Sequence, residues 1–279
     1  MTYKLAGIKR KADFSPNHVE NDTLLLLKVK TELERNGAEV RIYDEKGLEK
    51  DTISETIIFS MAQGLRAGKL LDDLSRDGKF IINHPKSVLN CHRSNFLTTL
   101  KANNIPVPKS IIVDVKDPEA IPFSEVGSKK IWIKRGDVHA IHREDVTLCY
   151  SEEEKNFILK EFRRRKIKTA ILQEHVKGDV IKFYSVKNTD FFYWYYLNGE
   201  FHTEFNTEEL RAAADTAAGL LDIEVYGGDA VIREDGSIVF IDLNDWPSFA
   251  PVRDQASKYI ARLILNKAEM FLQSSTYIK

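Results

Sequence analysis

Cysteine is scarce in this chain, with only Cys91 and Cys149 in 279 residues. Two isolated thiols exclude a disulfide scaffold and a cysteine-based metal site, so a reducing cytoplasm is the expected compartment. No apolar run is long enough to cross a bilayer, and Met1 to Lys11 lacks the apolar core of a signal peptide. Repeats and low-complexity linkers are absent. Neither sign of charge dominates: 41 Lys and Arg stand against 42 Asp and Glu, a net of -1. That balance gives no support to a nucleic-acid-binding surface, so any anionic partner must be met locally. What remains is a chain with 43% hydrophobic residues, long enough for two or three subdomains around real cores.

The first third alternates strand and helix patterns. Strands are expected at 3–8, 39–43, 56–60 and 79–83, with helices at 22–36, closed by Gly37, and 65–75. Such alternation predicts a small parallel sheet covered by helices. A boundary follows at His84-Pro85, because the residue before proline is pushed out of helical geometry. Beyond it the pattern predicts a helix over 87–103, strands at 110–115 and 130–134, and a helix over 151–165 with a capping-box start, Ser151-Glu-Glu-Glu154. Strands at 170–174, 180–186 and 191–197, a helix over 208–220, a hairpin and a closing helix from Asp254 complete the chain. The aromatic strand Phe191 to Tyr196 reads as buried on both faces. The expected class is α/β with α+β subdomains, divided as residues 1–85, 86–170 and 171–279.

The most informative segment runs from Asp229 to Asn244. Asp235-Gly236 between two β-branched runs signals a hairpin. With a two-residue loop, Ile232 faces Val239 and Asp229 comes directly opposite Asp242. Alternation then puts Asn244 on the face of Asp242 and Leu243 on the other. Opposed like charges destabilise a sheet unless something positive neutralises them. Two carboxylates and an amide oxygen suit Mg²⁺, which keeps room for water and substrate phosphates, so the hairpin points to nucleotide chemistry. The alternative is a solvated hairpin end, since Asp and Asn also favour turns.

Other residues fit the same chemistry. In Lys130 to Lys134, Ile131 and Ile133 share one face and Trp132 and Lys134 the other, so Lys134 either meets a phosphate or is a solvated strand-end lysine. The strand Ile171 to Val176 breaks into Lys177-Gly178-Asp179, offering backbone groups to an adenine edge and a carboxylate to ribose hydroxyls; Gly-Asp is also an ordinary turn. His139 and His142, in the loop after Lys134, are either phosphate or substrate contacts or solvated histidines. The basic run Arg163 to Lys166 complements a helix C-terminus. Trp246, Ser248 and Arg253, just past the carboxylate hairpin, are candidates for an acceptor pocket.

Lys134, the Gln173-Glu174 strand, Lys182 and the carboxylate hairpin follow one another in an order that resembles the ATP-grasp superfamily. Asn90 to Ser110, with its Ile105-Pro-Val-Pro108, is similar to that superfamily's helix and strand leading into the central subdomain. The resemblance covers most of the chain and implies a Rossmann-like pre-ATP-grasp domain ahead of two subdomains that enclose ATP. By position it assigns Lys134 to the α-phosphate and adenine, and Glu174 and Val176 to adenine with Gln173 nearby. Asp179 goes to ribose, and Asp229, Asp242 and Asn244 to Mg²⁺. Lys182 would reach the transferring phosphoryl group or an anionic substrate, and Arg93 stands where many members carry a phosphate-contacting lysine.

The implied activity resembles that of RimK-like carboxylate-amine (or thiol) ligases, acting on small-molecule or peptide carboxylates and amines, with no nucleic acid or membrane partner and with a homo-oligomer open. Three departures bear on the substrate. The loop from Arg135 to Asp145 contains only Gly136, Asn244 is followed by Asp-Trp-Pro-Ser248 rather than x-x-Pro-Gly, and Phe191 to Tyr196 lacks an arginine. The sparse glycine also resembles inositol polyphosphate kinases of the same superfamily, making a small-molecule kinase one alternative. A nucleotide sensor without turnover is another.

Overall fold

A computed structural model describes residues 3–127, 129–138, 141–199 and 202–276. Three four-stranded sheets organise them. The first is parallel, in the order β2-β1-β3-β4, built from β1 (Lys4–Lys9), β2 (Glu39–Asp44), β3 (Ile57–Ser60) and β4 (Phe80–Ile82). Parallel strands need crossovers, and helices α1 (Val19–Arg35) and α2 (Leu65–Arg76) provide them on opposite faces. Leu25, Leu26, Val29 and Leu33 of α1 pack with Leu5 and Phe59, while Ala67, Leu71 and Leu74 of α2 pack with Ala6, Ile8 and Ile58. Each such buried Leu, Ile, Val or Phe side chain contributes roughly 1.5–3 kcal/mol.

The helix expected over 87–103 is two helices, α3 (Pro85–Asn90) and α4 (Arg93–Ala102). His92 adopts extended geometry (φ -60°, ψ 136°) and breaks the run, which restarts with Arg93 in the first turn of α4. The second sheet is antiparallel, in the order β5-β8-β6-β7, from β5 (Ser110–Asp114), β6 (Ile131–Arg135), β7 (Val146–Cys149) and β8 (Thr169–Glu174). The short α5 (Phe123–Val126) and β7 have no counterpart among the sequence expectations. Helix α6 (Glu152–Arg164) covers this sheet through Leu159 and Phe162. Ser151 Oγ accepts from Glu154 N at 3.2 Å, but the Glu154 carboxylate takes Tyr150 N at 2.7 Å, one residue earlier than a reciprocal box requires.

The third sheet runs β10-β9-β11-β12, comprising β9 (Asp179–Val186), β10 (Phe192–Asn198), β11 (Val225–Ile232) and β12 (Ile238–Asp245), all antiparallel. Strand β10 is an edge strand and half-exposed, not buried on both faces as its aromatic content predicted. Helix α7 (Thr207–Leu221) packs under one face together with Phe96 and Leu100 of α4. Against the other face, α8 (Arg253–Thr276) joins α1, so that Tyr184, Val186, Ile260 and Ile264 share one core with Leu5 and Leu25 of the first sheet. The chain's two ends are thereby built around the same interior.

The β11–β12 hairpin differs from the two-residue loop expected. Arg233 N bonds Ser237 O and Gly236 N bonds Arg233 O, giving a three-residue loop with Gly236 at φ +79°, a turn that needs glycine in the left-handed region. Ile232 therefore faces Ile238 instead of Val239. A bulge then inserts Ile241 between Phe240, opposite Ala230, and Asp242, opposite Asp229. The two irregularities cancel, and the expected Asp229–Asp242 pairing stands.

Asn83, 1% exposed, joins the first and third sheets: its Oδ1 accepts from Glu224 N (3.0 Å) and Val225 N (3.1 Å), and its Nδ2 donates to Val225 O (3.0 Å). Asn83→Ala orphans these groups and is expected to lower unfolding stability by about 3 kcal/mol, measured by urea denaturation; a loss under about 1 kcal/mol would show that water replaces the amide.

Candidate functional site

Strands β9, β11 and β12 lie side by side, and the registers Lys182↔Asp229 and Asp229↔Asp242 set three charged residues in one row across the sheet. Alternation fixes their face: Ile181 and Phe183 enter the core with α7, so Lys182 points away from it. Lys182 Nζ donates to Asp229 Oδ1 at 2.7 Å. Burial works to lower the Lys182 pKa, and the Asp229 carboxylate more than offsets it, leaving the ammonium raised. At the other end of the row, Arg93 Nη2 lies 3.5 Å from Asp242 Oδ2, and Nη1 donates to Arg135 O at 3.3 Å. The break at His92 is what brings this guanidinium to the start of a helix facing the sheet.

Lys134 approaches from the second sheet. Ile131 and Ile133 enter the core beneath α6, so Lys134 emerges on the opposite face of β6, where it is nonetheless 5% exposed. Burial and then repulsion from Arg93 push its pKa down to about 7, against the attraction of Asp242 and Asp229. Three cations and two carboxylates thus meet where the second and third sheets face each other. Asp242 Oδ1 is buried and has no hydrogen-bond partner among the described residues, a lone pair that a hard cation would satisfy. No group of three His, Cys, Asp or Glu is placed to hold a metal among those residues; the row brings two carboxylates together, and Asn244 lies two residues beyond Asp242 on β12. Close strand packing shapes the site as well: a Cβ on Gly228 would lie 2.3 Å from Asp242 O.

The remaining residues singled out from sequence fall into two groups. Glu174 and Val176 line a surface cleft closed on its far side by the hairpin tip, Arg233 to Asp235. Glu174 also ends the β5–β8 pairing, its N donating to Lys109 O (2.9 Å) and its Oε1 accepting from Lys109 N (3.0 Å). Gln173 is 2% exposed and donates to Ser110 Oγ at 3.0 Å, while Asp179, 3% exposed, accepts from Thr203 N at 2.6 Å and braces the segment after β10. His139 lies outside the described residues. His142 caps the turn Arg143–Asp145, and the Asp145 carboxylate reciprocally accepts from His142 N. Trp246 is a core residue against Phe59, not a pocket residue, and Arg253 bonds Asn21 Oδ1 at 2.7 Å. Cys91 and Cys149 are free and buried, and burial raises both thiols.

Beside the charged row opens a cavity of about 440 Å³ between the first and third sheets, lined by Lys182, Tyr184, Tyr195, Asn244 and Ser248 on one side and Arg10, Phe14 and Gln63 on the other. Sequence reasoning singled out only Lys182, Asn244 and Ser248 among these. Arg10 is anchored by Asp22 Oδ2 (2.9 Å), Met61 O (3.1 Å) and Trp246 O (3.0 Å), and Gln63 Nε2 donates to Asp245 Oδ1 (3.1 Å). A usable signal existed: Arg10 and Gln63 follow the carboxyl ends of β1 and β3, where open parallel sheets present ligand-binding residues.

Three sheets arranged in this way, with a charged row between the second and third, constitute the ATP-grasp fold. Solved structures of that fold match over nearly the full chain: the D-alanine-D-alanine ligase from Coxiella burnetii (13% identity, TM-score 0.76, 99% of this chain and 98% of that one), a RimK domain ATP-grasp protein from Sphaerobacter thermophilus (16%, 0.70, 94% and 99%), and the ATP-grasp ligase PsnB complexed with a minimal precursor (15%, 0.65, 95% and 99%). No family model matches the chain, and no curated protein matches it in sequence. Among the described residues no helix is long and apolar enough to cross a membrane.

The depressed Lys134 pKa has a direct thermodynamic consequence. Between about pH 7 and the ordinary lysine value the unfolded chain holds a proton that the folded chain has released, so stability rises with pH through that window and is flat below it. Denaturation from pH 6 to 10 is expected to show this rise in the wild type relative to Lys134→Met; parallel curves would mean that Lys134 stays protonated.

Proposed function

We propose that this chain is an ATP-dependent carboxylate-amine ligase. The observation that carries the reading is the row Lys182–Asp229–Asp242, met by Arg93 and Lys134, with the partnerless Asp242 Oδ1 inside it and the 440 Å³ cavity beside it. Asp229, Asp242 and Asn244 would hold Mg²⁺, which when bound neutralises charge on the β- and γ-phosphates of ATP. Lys134 serves the α-phosphate, Glu174 and Val176 the adenine edge, with Gln173 and Asp179 supporting the nucleotide side. Residues 1–85 close the substrate cavity; residues 86–170, completed by β8, and residues 171–279 enclose the nucleotide.

A substrate carboxylate oxygen bonds the γ-phosphorus and ADP departs, leaving an acylphosphate. An amine then attacks the acyl carbon, phosphate leaves, and the amine loses a proton. Lys182 and Arg93 face this transfer, offsetting negative charge on the phosphoryl oxygens, and the reading assigns His139 to the same step. Catalysis of this kind rests on positioning and charge rather than on a protein nucleophile. The cavity, half from the first sheet and half from the third, would seat the carboxylate and amine substrates and restrict water around them.

The test is release of ADP and phosphate from Mg-ATP across mixtures of small or peptide carboxylates and amines, in a cytoplasmic-like reducing buffer. Turnover requiring both substrates is expected, with Asp242→Asn lowering it by at least about a hundredfold while the folded circular dichroism signal is kept. Label transferred to a polyol without free phosphate would make the protein a kinase, and undiminished turnover in Asp242→Asn would remove the metal assignment.

A further inference from the structure

A second cavity, of about 220 Å³, lies in the first third of the chain, apart from the charged row. It is enclosed by α2, by the residues that follow β3 and β4, and by α3. That position is the carboxyl end of the parallel sheet, where this class of sheet leaves a crevice. Its wall is mainly aliphatic, with Ala62, Leu71, Val88 and Leu89, and two apolar side chains at its rim are conspicuously exposed, Leu65 at 67% and Leu89 at 43%.

Gly68 contributes the least expected feature. It sits inside α2, where glycine weakens a helix by about 1 kcal/mol relative to alanine, yet a Cβ there would meet nothing within 4 Å. No neighbour requires the missing side chain, and its absence keeps the cavity open. The polar lining groups are already committed. Asn83 bonds β11, Ser60 Oγ accepts from Ala62 N (3.1 Å), and Asp72 pairs with Arg76. Lys69 and Lys86 also line the cavity, and neither forms an ion pair among the described residues. An apolar chamber with two ammonium groups at its mouth, that of Lys86 also attracting the Asp72 carboxylate, complements a ligand with a compact apolar body and one negative charge.

We propose that this cavity binds a small amphipathic carboxylate, its aliphatic or aromatic body between α2 and α3 and its carboxylate at Lys69 and Lys86. Gln63 lines both this cavity and the larger cleft, where it donates to Asp245, so occupancy is sensed at the cleft wall. Any effect on turnover rests on the ligase reading, whereas binding does not.

The experiment is titration of the full-length protein, without nucleotide, with 4-methylpentanoate and phenylacetate, and with the corresponding amides as uncharged controls. Binding is followed by calorimetry and by the ¹⁵N shift of the Gln63 side-chain amide, assigned by its disappearance in Gln63→Glu. At least one carboxylate is expected to bind one-to-one with a Kd below about 1 mM, with its amide about fivefold weaker. Gly68→Leu, whose Cβ would meet nothing within 4 Å, is expected to occupy the chamber and abolish binding while keeping or raising the melting temperature. The double variant Lys69→Ala, Lys86→Ala is expected to reduce the carboxylate to the affinity of its amide. Absence of binding by both carboxylates, or binding unchanged in Gly68→Leu, overturns the site; amides binding as tightly as the acids overturn the anionic ligand.

Discussion

Two aspartates facing each other across β11 and β12 are the constraint around which the rest is arranged. Asp229 and Asp242 occupy paired positions, an arrangement that a sheet does not tolerate unless charge is supplied from outside. It comes from three directions: Lys182 along the same row, Arg93 from the first turn of α4, and Lys134 from the opposing sheet. Local irregularities set the junction: the His92 break places Arg93, the bulge at Ile241 pairs Asp242 with Asp229, and the glycine pair Gly227-Gly228 lets β9 and β12 approach β11. Lys182 and Arg93 match the two carboxylates, and Lys134 adds an excess positive charge when it is protonated, below about pH 7, which gives the junction an affinity for polyanions before any metal is considered.

Much of this was legible in the sequence because it depends on short-range periodicity. The alternation in Ile131 to Lys134 fixed which face the lysine takes, and the βαβα order of the first third fixed its parallel sheet. The hairpin register came out correctly at Asp229 and Asp242 although the loop has three residues instead of two, because the bulge restores the count. Counting cannot detect such a pair of compensating irregularities, since Gly236 and Ile241 carry no joint signal. What escaped is long-range. Arg10, Gln63 and Tyr195 come from three distant segments and become neighbours only when the first and third sheets share a core. The exposed side of β10 escaped too, because an aromatic-rich edge strand and a buried strand have the same composition.

The protein separates its chemistry from its packing. The charged row lies on the open end of the third sheet's face, while the same face further along, at Tyr184, Val186 and Val225, is sealed by α1 and α8. Burial there holds the strands, while the largely buried Arg93–Asp242 and Lys182–Asp229 pairs at the open end keep the facing carboxylates compensated. The second sheet has its own interior, from Val113 through Leu172, so Lys134 is carried by a sheet with a core separate from the row it faces.

The core shared by α1 and α8 has a consequence for synthesis. Leu25, Leu26 and Val29 are synthesised well over two hundred residues ahead of Ile260 and Ile264, which cover them together with the third sheet. Contacts of such long sequence separation form slowly, so after α1 has packed on the first sheet through Leu5 and Phe59, the part of it that α8 covers stays open until that helix is made. The interval before α8 arrives is when this protein is most exposed to misassociation, and that part of α1 is where a chaperone would hold it.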